Sequence, residues 1–212
     1  MANKLNVNPT RQELLKLKIK LKTAQRGHKL LKEKRDGLMK SFMTIIREAK
    51  KLRENIEQEL GQGFFSFIFY SAKQRRSVID EALLVPTKKV SLEASTKNVM
   101  GVEVPVFDYQ EEGNFLCYDL ATTSTSLDKA LQTFDSALKG MVKLAEIEHS
   151  ARLLAEEIEK TRRRVNALEY VFIPDMAETI KYITAKLNEQ ERASIIALMK
   201  IKDIMAKQET AY

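Results

Sequence analysis

LLKLKIKLKTAQRGHKLLKEKRDGLMKSFMTIIREAKKLRENIEQE, residues 14–59, carries the pattern that decides the fold. Stepping alternately three and four residues from Leu14 gives Leu17, Leu21, Ala24, His28, Leu31, Arg35, Leu38, Phe42, Ile45, Ala49, Leu52, Ile56 and Glu59. Eleven of these fourteen positions are apolar. The spacing keeps one face of a helix apolar, and sustained over about six heptads it predicts a coiled coil rather than an ordinary surface helix. Upstream, Thr10 can cap the helix and Glu13 completes a capping-box pattern, so the helix is expected to begin near residue 10. Downstream it can stop at Gly61 or cross Gly63 to about Arg76, a span on the order of 80–100 Å at 1.5 Å per residue.

A second helical pattern runs from Leu127 to about Lys207. Leu127, Leu131, Phe134, Leu138 and Met141 hold one phase. Leu144, Ile147, Ala151, Leu154, Ile158, Thr161, Val165, Leu168 and Phe172 hold another, with a local break in the heptad at Met141. Beyond Pro174 the pattern resumes at Met176, Ile180, Ile183 and Leu187, then at Ile195, Leu198 and Met205. Proline inside a helix removes a hydrogen bond and crowds the preceding turn, so either a kink or a short break fits at this point. Two long helices invite antiparallel pairing.

Residues 83–120 read differently. LLVPTKKVSL, VMGVEVPVF and FLCYDL are strand-like, and Val102, Val104 and Val106 alternate with Glu103 and Pro105. Pro86 and Pro105 favour edge strands, while NVMG or QEEGN can turn the chain. The expectation is a small β-hairpin cap joining the helices. The chain therefore divides into an N-terminal coiled-coil helix at 1–76, a hairpin with its connections at 77–123, and a C-terminal coiled-coil helix at 124–212, together one elongated domain.

Composition agrees with long helices: seven glycines, four prolines, no tryptophan and 31% charged residues. One cysteine, Cys117, excludes an internal disulfide framework, and the opening MANKLNVNPTRQ lacks the apolar core of a signal peptide. GFFSFIFYSA at 63–72 is the most apolar stretch, far short of the roughly 20 residues that span a bilayer. Its aromatics, Phe64, Phe65, Phe67, Phe69 and Tyr70, suit either local core or a docking patch for another subunit.

Little supports catalysis. His28 and His149 lie on different helices, no Cys/His metal spacing or HExxH occurs, and the glycines form neither a Walker loop nor a dinucleotide fingerprint. His28 falls on the apolar seam, where a polar side chain commonly sets register. Charge is more informative: residues 1–76 hold 19 Lys and Arg against 7 Asp and Glu, whereas residues 77–123 hold 3 against 8. The excess on the first third predicts an acidic partner surface, with nucleic acid as one candidate. Single-strand recognition would also want stacking aromatics among the basic side chains, and residues 11–41 contain none.

Two segments, NPTRQELLKLKIKLKTAQRGHKLLKEKRDGL at 8–38 and RRRVNALEYVFIPDMAETIKYITAKLNEQER at 162–192, closely resemble the D subunit of the V-type and archaeal-type rotary ATPases, the central rotor stalk. The helix, hairpin and helix order extends that resemblance over essentially the whole chain. It implies a mainly α protein: an antiparallel, left-handed coiled coil of the two chain ends, with a small β-hairpin in between. The seam would include Leu14, Leu17, Leu21, Leu31, Leu38, Phe42, Ile45, Leu52 and Ile56 on the first helix. On the second it would include Leu154, Ile158, Val165, Leu168, Phe172, Ile180, Ile183 and Leu187.

The resemblance further implies a rotor shaft turning within a ring of alternating catalytic A and regulatory B subunits. The F subunit of the stalk would dock on its side, and a funnel-shaped adaptor would join it to the membrane rotor ring. ATP would be handled by partner subunits, with no cofactor, metal or catalytic residue in this chain, no nucleic acid and no direct membrane insertion. Lys16, Lys20, Arg26, Lys29, Lys34, Arg35, Arg162, Arg163 and Arg164 are the candidate contacts to the ring. The place expected for it is the cytoplasmic face of a membrane. The alternatives are a basic coiled-coil arm binding structured RNA, or a coiled-coil adaptor such as the stalk of a flagellar export ATPase.

Overall fold

A computed structural model of the chain describes residues 6–84, 87–114 and 125–209, which are mainly helical. Helix α1 spans Arg11–Ser71 and the short α2 spans Arg76–Ala82; strands β1 at Lys89–Val99 and β2 at Val102–Glu112 follow. Then come α3 at Thr125–Ala167, a π-helical turn at Leu168–Phe172, and α4 at Ile173–Glu209. FLCYDL, Cys117 and Pro86 lie outside the described residues. The chain forms two compact units, one of Met1–Arg35 with Lys160–Tyr212 and one of Asp36–Glu159.

In the first unit the start of α1 packs antiparallel to α4. Thr10 caps α1: its hydroxyl accepts a hydrogen bond from the Glu13 amide at 3.3 Å, while the Glu13 carboxylate pairs with Lys16 instead of closing the capping box. Leu17, Met176 and Ile183 form the buried centre, flanked by Leu14, Leu21, Ala24, Ile180 and Leu187. Each of the three buried side chains taken from water contributes about 1.5–3 kcal/mol. Arg11 bridges to Glu191. Further along, His28 Nε2 and Glu169 Oε2 stand 3.3 Å apart across the pair.

Phe172 is the seam residue that the structure corrects: it is 55% exposed. Buried and half-buried positions run Ile158, Thr161, Val165, Leu168, Ile173, Met176, Ile180, Ile183 and Leu187. Ile173 thus takes the place the heptad assigned to Phe172. Pro174 supplies a physical reason, because it cannot donate to the carbonyl four residues back and its ring crowds that turn. The π-helical turn just before it absorbs one extra residue, and the helix continues without a break.

In the second unit α1 packs antiparallel to α3. Leu38 is fully buried with Leu154 and Ile158, and Phe42, Ile45 and Val102 close around them. Farther down, the seam on α3 uses small residues: Ala130 and Ala137 are fully buried, and a Cβ on Gly140 would meet Ile56 at 3.0 Å. Leu138 and Met141, expected on the seam, point outward. Ile56 fills the hollow over Gly140, so a large side chain on that face has no room. Tyr70, Ile79 and Leu127 form a third buried cluster with Phe67 and Leu131.

The hairpin pairs Val99 with Val102 at its tip and Lys89 with Glu112 at its base. Met100 (φ 53°) and Gly101 (φ 87°) occupy the left-handed region, as a two-residue hairpin turn requires. The Asn98 side chain accepts the Gly101 amide at 2.8 Å. Met100 closely approaches Gly37, where a Cβ would sit 2.6 Å from its terminal carbon. At the other end Lys88 and Glu111 reach Asp135 and Lys139 on α3. The hairpin therefore lies along the helices of its unit instead of capping their end.

Candidate functional site

Unit by unit, the charge divides into one basic and one acidic part. The unit built from the chain ends holds 21 Lys and Arg against 9 Asp and Glu, net +12; the other holds 15 against 20, net −5. All nine candidate contacts fall in the basic unit. Lys16, Lys20, Arg26, Lys29, Arg162, Arg163 and Arg164 are exposed, whereas Lys34 and Arg35 are half-buried.

The antiparallel register decides which of them come together. With His28 opposite Glu169, moving on to Lys34 and Arg35 along α1 matches moving back to Arg162–Arg164 along α3, so these five lie at one level. Arg26 and Lys29, a turn apart, extend that group. Lys16 and Lys20 do not join it, since from Lys16 to Arg35 is roughly 30 Å along the helix. Lys16 is also 2.8 Å from Glu13.

Two apolar surfaces accompany the charges. Beyond Glu191, the partner of Arg11, α4 runs on past the start of α1, and Ile195, Ile196, Leu198, Met199, Ile201 and Met205 are all exposed. These apolar side chains are interspersed with the exposed Lys200, Lys202 and Asp203. In the acidic unit the aromatic stretch splits: Tyr70 and Phe67 enter the core, while Phe64, Phe65, Ile68 and Phe69 face outward. Phe64 meets Phe134 edge-on at 5.2 Å, and Lys73 lies over the Phe69 ring at 5.7 Å.

A group of four charges that sequence reasoning did not find ties the hairpin to α3. Lys88 bridges Asp135 and, at 2.8 Å, Glu111; Lys139 meets the other Glu111 oxygen at 2.7 Å and Asp135 at 3.8 Å. Burial works to lower the Lys88 ammonium, but the hydrogen bonds and charges of Asp135 and Glu111 outweigh it and push its pKa up to about 12. Hydrogen bonds from Lys139 and then Lys88 hold the Glu111 carboxyl below its ordinary value. Among the described residues no His, Cys, Asp and Glu side chains cluster as a metal site, and no helix is long and apolar enough to cross a membrane.

Residues 13–203 match the family of the ATP synthase D subunit. The chain belongs to that family. It is 53% identical over 207 residues to the V-type ATP synthase D subunit of Clostridioides difficile (strain 630), covering 96% of this chain and 93% of the relative. The protein of the same name from Acetivibrio thermocellus is 49% identical, over 96% and 94% of the two chains. That from Clostridium botulinum (strain ATCC 19397 / Type A) is 45% identical, over 98% of each. Family membership makes the chain a non-catalytic stalk subunit of a multi-subunit V-type rotary ATPase. Neither the RNA-binding arm nor the flagellar export stalk gains support.

Proposed function

We propose that the chain is the central rotor shaft, carrying torque between ATP chemistry in a ring of A and B subunits and ion movement through a membrane rotor ring. The carrying observation is the net +12 on the unit made of both chain ends. A shaft turning inside a ring must exchange partners cheaply, and exposed ion pairs worth about 0–1 kcal/mol each do so. Lys16, Lys20, Arg26, Lys29, Lys34, Arg35 and Arg162–Arg164 are the contacts proposed for the ring. The apolar end of α4 fits enclosure within it.

No cofactor belongs to this chain, and ATP is bound by the partner subunits. The stalk's F subunit binds the side of the helix pair. The exposed Phe64, Phe65, Ile68 and Phe69 surface meets the funnel-shaped adaptor on the membrane side. This reading puts the chain at the cytoplasmic face of a membrane as a peripheral component. Reversing Arg26, Lys29, Arg162 and Arg164 to Glu in the assembled complex is expected to lower ATP-driven ion transport several-fold. Unchanged ATP turnover and pumping in that variant would refute the electrostatic contact.

A further inference from the structure

The register insertion before Pro174 has an outward face. Leu168 and Met176 are eight residues apart where one heptad allows seven, and the π-helical turn takes up the difference. As a result Tyr170, Val171 and Phe172 stand 72, 51 and 55% exposed, three apolar side chains in succession covering the outer side of the helix. Arg162, Arg163 and Arg164 lie about two turns before them. Across the pair, Leu30 is exposed near the level of Glu169, next to Lys29.

Two large aromatic side chains held in water near a helix irregularity gain nothing for the fold, since Ile173 already fills the seam. Insertions of this kind occur often at functional sites. Tyr and Phe, rigid and large, are side chains that anchor interfaces when a pocket takes them up. Arg26 and Lys29 on the facing helix and Arg162–Arg164 two turns back outnumber the adjacent Glu169, which faces His28 at 3.3 Å, so the charge complementary to this rim is acidic. A second copy of this chain is a poor fit, because it would bring another net +12 against the same charge.

We infer that Tyr170, Val171 and Phe172 form an apolar knob that binds an apolar hollow rimmed by carboxylates on the inner face of the ring. This rests on the shaft reading above and adds a directional contact to it. Dispersed charges hold the shaft at any angle, whereas one knob on one side of a helix engages one ring position at a time.

The test reassembles the full-length chain with the A and B subunits and measures its affinity across a salt series. Tyr170→Ser/Phe172→Ser is expected to weaken binding about ten-fold or more at every salt concentration, leaving the salt slope unchanged, because no charge is removed. Tyr170→Phe/Phe172→Leu should retain most of the affinity, which separates lost apolar contact from lost folding. Reversal of Arg162 and Arg164 to Glu should instead flatten the salt slope. Full affinity in the serine variant overturns the knob, and a flattened salt slope in the reversal variant then leaves the shaft reading standing; no salt-sensitive binding in any variant overturns both. Loss of binding to anionic lipid vesicles with unchanged ring affinity would also overturn the knob, assigning the patch to a membrane.

Discussion

Lys88 joins three pieces of chain that sequence keeps far apart: its own segment before β1, Glu111 on β2 and Asp135 on α3. Its raised pKa contributes stability fully present below the ordinary lysine value of 10.5 and lost as pH rises through about 12. Glu111 acts with the opposite sign: its lowered pKa contributes stability present above the ordinary value of 4.5 and lost as pH falls through the folded value. Hairpin amide protection is therefore expected to hold between about pH 5 and 10 and to fall below that window, read by hydrogen exchange corrected for the intrinsic rate. Lys88→Met should reduce protection at neutral pH more than Lys139→Met, because Lys88 is the less exposed of the two ammonium groups and the one carried on the hairpin's own segment, whereas Lys139 reaches the hairpin only from α3; equal protection in both variants would contradict the role given to Lys88. None of this was legible in advance, since partners 23 and 47 residues away leave no periodic trace. The place of His28 on the apolar seam was legible from the heptad; its neighbour Glu169, 3.3 Å away across the pair, was not.

At the scale of elements, the heptad reading of α1 holds from Leu14 to Ile56: each seam position in that span is buried or half-buried. It succeeds because most of the α1 seam positions carry large apolar side chains, whatever they meet across the pair. On α3 it slips where the seam turns to Ala130, Ala137 and Gly140, side chains too small to register as a hydrophobic stripe. It slips again at Phe172, although the eight-residue gap between Leu168 and Met176 was visible and Pro174 marked the place. Two glycines separate these effects. A Cβ at Gly27 meets nothing within 4 Å, so Gly27→Ala should raise stability by about 0.5–1 kcal/mol through helix propensity. Gly140→Leu should lower it by about 1–3 kcal/mol by displacing Ile56. Denaturant midpoints of the two variants check both signs.

For the molecule as a whole, the two units differ in charge by sign, +12 against −5, and each presents its own apolar surface. Partners of different chemistry should therefore separate by mutation. Phe65→Ser/Phe69→Ser is expected to abolish capture of the membrane-side adaptor in a pull-down while leaving salt-sensitive binding to the A and B subunits intact; loss of both together would count against two distinct surfaces. What the sequence determined by itself was the long helical pairing, the intervening hairpin with its two candidate turns, the basic skew and the family resemblance, because periodicity, turn chemistry and charge are local or additive properties; the structure then chose NVMG over QEEGN as the hairpin turn. Only the tertiary structure decided that the hairpin lies along α3 within its unit, that small residues carry part of the seam, and that Phe172 faces out. Each of those depends on which side chains meet across the chain, and packing space and pairing between distant charges settle that, not the spacing along either helix.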